Sequence, residues 1–120
     1  MNKKDMVNTM DCPVTYALNM IGGKWKIPIL WTLSQNRVLR YNELKRKLNG
    51  ITNMMLTQSL KEMESCGLIH REQYPEIPPR VEYSLTQAGL ELLPAIDELA
   101  KWGARQMALR HTGNNESRSE

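Results

Sequence analysis

The stretch ITNMMLTQSLKEMESCG, residues 51–67, decides the fold of this chain. Three apolar side chains, Leu56, Leu60 and Met63, recur in it at positions i, i+4 and i+7. That spacing places them along one side of an α-helix, where they can face a hydrophobic core. The stretch therefore predicts an amphipathic helix, and the rest of the chain has to supply the surface that covers its apolar side.

The other side of this helix is polar and carries short amide and hydroxyl groups near its N-terminus. Such groups both donate and accept hydrogen bonds, as the reading of base edges in DNA requires. Thr52 is a candidate N-cap and Gly67 a candidate C′ residue, so start and stop signals bracket about four turns. The side chains predicted to face outward are those of Asn53, Met54, Thr57, Gln58 and Lys61.

The segment before this helix predicts a shorter one. YNELKRKL, at residues 41–48, places Leu44 and Leu48 inward and its basic residues outward. Asn49-Gly50 is a turn signal that separates it from the longer helix. Two helices joined by a turn of a few residues, with the second polar on its outer side, form a helix-turn-helix.

After Gly67 the apolar period changes to two. Residues 68–74 and 81–85 are typical of strands, and the proline-rich PEIPPR between them suits neither strand nor helix. Val81, Tyr83 and Leu85 lie on one face of the second strand. The sequence therefore predicts a β-hairpin, or wing, directly behind the helix-turn-helix.

Three further helices complete the prediction, at residues 12–21, 24–34 and 87–110, with a short extended piece at 38–40. The expected fold is mainly α with a small β-hairpin wing (α+β). We expect one winged-helix domain over residues 1–111, including its dimerisation helices. The polar segment 112–120 is expected to be a disordered tail.

Length and composition favour one compact domain of 120 residues with a net charge of +3. No apolar run approaches the ~18 residues that span a membrane, and the N-terminus lacks the apolar region of a signal peptide. We therefore expect a cytoplasmic protein with no membrane partner. The two cysteines are expected to be reduced thiols.

Signals for catalysis, cofactors or metals are weak. Gly22-Gly23-Lys24 does not form a phosphate loop, because Leu18 stands where the first glycine belongs and Trp25 follows the lysine. No nucleophile and base stand at a recognised spacing. We therefore expect that the protein is not an enzyme and binds no cofactor. We also expect no metal site, because zinc-ligand spacing is absent among Cys12, Cys66, His70 and His111.

The predicted partner is double-stranded DNA. Asn53 and Gln58 suit bidentate contacts to adenine, and Thr57 suits a thymine methyl group or a phosphate. Thr52, at a helix N-terminus, suits a phosphate oxygen. Nonspecific phosphate attraction is assigned to Lys45, Arg46, Lys47 and, at the wing, Arg80.

Two alternatives remain for this polar face. It can simply be solvated, or it can dock a partner protein without specific DNA binding. The hairpin behind the helix and the basic short helix before it favour DNA contact.

The first and last helices carry more apolar surface than one small domain covers. They either pack only on their own domain or form a two-fold dimer, which also suits a reader of palindromic DNA. We favour the homodimer. Its predicted interface residues are Val14, Leu18, Leu92, Ile96, Leu99, Trp102, Gly103 and Met107.

Cys12 has two interpretations. A thiol at a helix N-terminus can have its pKa lowered by the helix dipole and become reactive. A free cysteine is more commonly a small buried apolar residue, and the residues alone favour that state. Cys66 is predicted in the last turn of its helix, where the dipole disfavours a thiolate.

Several motifs together resemble the HxlR-type transcriptional regulators, winged-helix proteins distantly similar to MarR regulators. The resemblance covers roughly residues 12–104 and implies a dimeric bacterial DNA-binding regulator, dimerised through its first and last helices. It also implies that Cys12 can sense oxidants or electrophiles, as in some members. The motifs are Cys12-Pro13, GGKWKIPIL at 22–30, LRYNEL at 39–44, ITNMMLTQSLKEMESCGLIHR at 51–71, YPEIPPRVEYSLT at 74–86 and Trp102-Gly103.

Two positions depart from the family pattern. Met54 is apolar where many relatives have a basic or long polar residue, so its side chain cannot donate a hydrogen bond to a base edge. Some redox-sensing relatives carry a second cysteine just before the second helix of the helix-turn-helix. At this place the chain has Leu48-Asn49-Gly50. A two-cysteine switch between subunits would then need Cys66, whose predicted position in the last turn of its helix disfavours a thiolate.

Overall fold

A computed structural model describes the backbone of residues 12–119 and the side chains of residues 12–111. It contains five helices and a three-stranded sheet in this part of the chain. In chain order they are α1 (Pro13–Ile21), α2 (Lys26–Ser34), β1 (Leu39–Arg40), α3 (Tyr41–Lys47), α4 (Asn53–Ser65), β2 (Ile69–Tyr74), β3 (Arg80–Leu85) and α5 (Gln87–Ser119).

Helix α4 begins and ends where its sequence signals predicted. The Met55 N–H donates to the Thr52 hydroxyl oxygen at 3.1 Å, which satisfies one of the free donors of the first turn. At the other end, Gly67 adopts a φ of 83°, the left-handed conformation that glycine allows without strain. The Leu68 N–H then donates to the Met63 carbonyl at 2.9 Å, as in a Schellman motif. Both predicted caps are confirmed.

Helix α3 and the turn after it are also set by local sequence. The Arg40 N–H donates to Glu43 Oε1 at 2.8 Å and so caps the first turn. Leu44 and Leu48 are buried as predicted. Gly50, with a φ of 89°, allows the tight turn into α4.

The predicted hairpin is confirmed and gains a third strand. Strands β2 and β3 pair antiparallel, from Ile69 opposite Leu85 to Tyr74 opposite Arg80. The short β1 pairs with the free edge of β3, with Leu39 opposite Tyr83, so the strand order is β1-β3-β2. The wing is therefore joined to the residues that start α3.

One hydrophobic core supports the helix-turn-helix. Helix α2 packs against α3, α4 and β3, and α4 packs against β2. Each side chain removed from water in this way contributes roughly 1.5–3 kcal/mol to folding. The largest fully buried side chains are Ile29, Leu30, Leu33, Leu44, Leu56, Met63 and Ile69.

A hydrogen bond links the start of α5 to the turn that ends α4. The Thr86 hydroxyl donates to the Gly67 carbonyl and accepts a hydrogen bond from the Gly89 N–H at 3.2 Å. Thr86 thus caps α5. A side chain at residue 89 would overlap the carbonyl oxygen of Leu68, so only glycine fits this close approach.

The far end of α5 differs from the prediction. The helix continues from residue 111 to Ser119, where a disordered tail was expected. This segment contains no proline, and once a helix has nucleated each further residue adds a backbone hydrogen bond.

The structure also divides into two compact units, Met1–Leu90 and Glu91–Glu120, and the core described above belongs to the first. The predicted single domain over 1–111 stays a prediction, and residues 1–11 lie outside the described residues.

Candidate nucleic-acid interface

The residues predicted to read DNA share one exposed face of α4. Their side chains are open to solvent, whereas Leu56, Leu60 and Met63 on the opposite side are buried. Met54 is the most open apolar member, at 82% exposure. This face consists of Thr52, Asn53, Met54, Thr57, Gln58 and Lys61.

Tyr41, the first residue of α3, organises the N-terminal part of this face. Its hydroxyl lies 3.0 Å from Asn53 Oδ1, 3.1 Å from the Asn53 carbonyl oxygen and 3.2 Å from Thr57 Oγ1. The single phenolic proton can be donated to an Asn53 oxygen, while the Thr57 hydroxyl can donate to the phenolic oxygen. Asn53 and Thr57 are therefore held in place by a third side chain.

Glu62 organises the middle of the same face. Its Oε1 lies 2.8 Å from Lys26 Nζ on α2, and its Oε2 accepts a hydrogen bond from Gln58 Nε2. Hydrogen bonding from Lys26, then hydrogen bonding from Gln58 and the charge of Lys26, hold the pKa of Glu62 below its usual range. Glu62 is thus an ionised carboxylate that can only accept hydrogen bonds.

A basic cleft lies between α3 and the start of β3. It has a volume of about 640 Å³ and brings together Arg40, Arg46 and Arg80, with Glu43 also in its lining. Arg40 and Arg46 are exposed, and the predicted cation Lys45 is half-buried. Arginine forks match the geometry of phosphate oxygens, so the cleft is suited to a nucleic-acid backbone.

Arg80, which the sequence assigned to phosphate attraction, is paired with acidic side chains of its own hairpin. Its guanidinium lies 3.1 Å from Glu76 and 3.7 Å from Glu82, and it stacks on the Tyr74 ring at 4.1 Å. The antiparallel register places Arg80 opposite Tyr74, and the tight wing connection brings Glu76 within reach. The structure therefore shows a paired arginine at the base of the wing tip.

Cys12 occupies the N-cap of α1 and is partly exposed. Its sulfur makes no capping hydrogen bond of the usual geometry. Proximity to the Thr15 hydroxyl, and to the backbone N–H groups of Thr15 and Val14, nevertheless lowers the pKa of the Cys12 thiol. Cys66, in contrast, lies 3.6 Å from the Met63 carbonyl oxygen, to which its thiol donates.

The predicted dimer residues fall into three groups. Val14 and Leu18 on α1 are exposed, as are three residues of α5. Ile96 is only 6% exposed in this single chain, and its assignment to a dimer interface stays a prediction. Leu92 and Gly103 are half-buried, and the exposed residues of α5 are Leu99, Trp102 and Met107.

The described residues include neither a cluster of metal-binding side chains nor a membrane-spanning helix. Among the described residues, no three histidine, cysteine or acidic side chains converge on a point where a metal ion could bind. None of the described helices combines the length and apolar character needed to cross a membrane.

Helices α2, α3 and α4 share a buried core, α4 has an exposed polar face, and a paired hairpin follows α4. This combination defines the winged helix-turn-helix class of transcriptional regulators. The sequence profile described as HxlR-like helix-turn-helix matches residues 20–111. The chain belongs to this family.

Relatives and solved structures agree with this assignment. The chain is 45% identical to an HTH-type transcriptional regulator of Halalkalibacterium halodurans, covering 86% of this chain and 91% of the relative. It is 46% identical to the HTH-type regulator YdzF of Bacillus subtilis, covering 84% and 93%.

Among solved structures, it is similar to the reduced redox regulator HypR, with a TM-score of 0.78, 39% identity and coverage of 84% and 99%. It is also similar to the reduced transcriptional regulator YodB of B. subtilis, with a TM-score of 0.68, 30% identity and coverage of 76% and 89%.

Sequence reasoning identified the reading face but not the residues that hold it. Tyr41, Lys26 and Glu62 were not singled out, and neither was Arg40. Lys26 lies 36 positions before Glu62, and no local periodicity links two residues at that distance. The sequence signal for Arg40 was that it is a basic residue directly before the predicted α3.

Proposed function

We propose that this transcriptional regulator binds palindromic operator DNA as a homodimer, with α4 in the major groove. The observation that carries the proposal is the continuous exposed face of amide and hydroxyl groups at the N-terminal half of α4. In helix-turn-helix proteins this part of the second helix contacts base edges. Asn53, Thr57 and Gln58 are the base-reading candidates, with Met54 available for apolar contact to a thymine methyl group.

Phosphate contacts flank the reading face. The Thr52 hydroxyl accepts from Met55 and keeps its own proton for a phosphate oxygen. Arg40 and Arg46 line the basic cleft, and Lys61 adds an exposed positive charge on α4. Arg80 contributes by shaping the wing through Tyr74 and Glu76, and its net charge is largely offset by its acidic neighbours.

A second copy of the chain is the proposed cover for the apolar surfaces of α1 and α5. Val14, Leu18, Trp102 and Met107 each expose more than half of their surface. Exposed apolar clusters of this kind mark interaction sites. A two-fold dimer would present two copies of α4, matching the two halves of a palindrome.

The test is binding to the DNA upstream of the protein's own gene, measured by fluorescence anisotropy over a range of salt concentrations. Affinity should fall with salt at a slope of about −0.9 per neutralised phosphate, and a scrambled duplex should bind more weakly. A protein-docking module would instead bind both duplexes equally, at the ~10⁻⁴–10⁻⁶ M typical of nonspecific attraction.

We further propose that Cys12 makes the regulator responsive to oxidants or electrophiles. The thiolate is the reactive form of cysteine, and the nearby Thr15 hydroxyl and backbone N–H groups at the start of α1 favour it by lowering the pKa of Cys12. The structural neighbours HypR, a redox regulator solved in its oxidised and reduced forms, and YodB, solved after diamide treatment, support this role. Cys12 is partly exposed, so a small electrophile can reach it.

The Cys12 proposal predicts a specific pH profile. In a Cys66→Ser background, alkylation of Cys12 by iodoacetamide should reach half of its maximal rate at a pH below the ordinary thiol range of about 8.5. Thr15→Val should raise that midpoint, because it removes the hydroxyl that contributes most to the lowered pKa of Cys12. An ordinary midpoint that does not change with Thr15→Val would contradict an activated thiol.

A further inference from the structure

We propose that Glu62, anchored by Lys26, is a positioning residue that sets which bases Gln58 accepts. The inference rests on the proposed DNA-binding function and deepens it. Glu62 lies one helical turn after Gln58 on α4, while Lys26 belongs to α2, a buried part of the core scaffold. A rigid element of the fold is thereby connected to a base-reading side chain.

The orientation of the Gln58 amide follows from hydrogen-bond chemistry. The Glu62 carboxylate offers only acceptors, so the group that faces it must be the Gln58 Nε2 donor and not the Oε1 acceptor. One N–H of Nε2 is used in this contact. Gln58 Oε1 and the second N–H remain for DNA.

Lys26 keeps the carboxylate in this place. Its Nζ is 2.8 Å from Glu62 Oε1, and its side chain is only 13% exposed, so the ammonium group has little freedom to move away. Each Glu62 oxygen thus has a partner, Lys26 on one and Gln58 on the other. An exposed glutamine without such contacts would rotate its amide freely and present either end.

The oriented amide favours bases with an exocyclic amine in the major groove. Oε1 can accept from adenine N6 or cytosine N4, and the second N–H can add adenine N7. Guanine O6 and thymine O4 are acceptors and would face the Gln58 oxygen. We therefore expect the order adenine, then cytosine, then guanine and thymine at the base that Gln58 contacts.

The experiment compares four operator duplexes that differ only at the base pair where Gln58→Ala loses its preference. The wild-type protein should favour adenine over guanine or thymine by roughly 5- to 150-fold, the range for a good bidentate contact. Glu62→Ala should reduce this ratio to within a few-fold, because the freed amide can turn and donate to guanine or thymine. Circular dichroism confirms that each variant is folded.

Two further variants separate orientation from charge. Glu64→Ala removes an exposed carboxylate from the same helix and should leave the base preference unchanged. Lys26→Met keeps the aliphatic stem, removes a positive charge and should also reduce the preference. Glu62→Ala and Lys26→Met change the net charge in opposite directions, so a shared loss of preference cannot come from overall electrostatics.

The outcomes distinguish the inference from the function on which it rests. A wild-type protein with no base preference at any position would overturn the proposed function. A wild-type preference for adenine that Glu62→Ala retains in full would overturn only the positioning role. A wild-type preference for guanine at the Gln58 position would overturn the proposed amide orientation.

Discussion

Leu56→Ala is expected to lower the free energy of unfolding by about 2–5 kcal/mol, the range for truncating a large buried side chain. Leu56 is fully buried on the inner side of α4, within the core that α2, α3 and the sheet complete. Removing three of its carbon atoms leaves a cavity, because the close-packed side chains around it relax only partially. A small domain has about 5–15 kcal/mol of total stability, so this loss is a large part of it.

Met54→Ala is the matched control for this prediction. Met54 lies two residues earlier on the same helix and is 82% exposed, so its truncation should change stability by no more than about 0.5 kcal/mol. Urea unfolding followed by circular dichroism measures both variants. Equal effects at the two positions would show that α4 does not bury the face assigned to the core.

Gln58→Ala is expected to remove discrimination at one base pair of each half-site, by roughly 1–3 kcal/mol. Gln58 is exposed on the reading face, and its amide retains an acceptor and a donor for DNA. The loss should be confined to that base pair, because the other reading residues are held separately by Tyr41.

Arg46→Ala provides the contrast to Gln58→Ala. Arg46 lines the basic cleft, so its loss should weaken binding to all sequences alike and reduce the salt slope by about 1. Competition binding with a panel of single-base operator variants measures both proteins. A uniform loss for Gln58→Ala, with no change in the base profile, would contradict its assignment as a base-reading residue.

The elements of this fold were predictable where their causes are local. The α4 caps depend on Thr52 and Gly67 within the segment itself, and its inner face follows from the spacing of Leu56, Leu60 and Met63. The hairpin followed in the same way from its period of two. These signals act over a few residues, so the sequence displays them directly.

Features that depend on tertiary contacts could not be predicted in this way. The orientation of Gln58 depends on Lys26, which is brought to Glu62 only when α2 packs against α4. The pairing of Arg80 depends on the register of β2 and β3. Ile96 and Leu99 share one apolar spacing on α5 but are 6% and 54% exposed, a difference that periodicity alone does not reveal.

The central proposal is that two copies of α4 read a palindromic operator. Selection of the purified protein against randomised duplex DNA, followed by sequencing, tests it most directly. We expect an inverted repeat whose half-site centres lie about 10–10.5 base pairs, or a multiple of that, apart. Enrichment of no sequence, or of a single half-site without its inverted copy, would contradict the proposal.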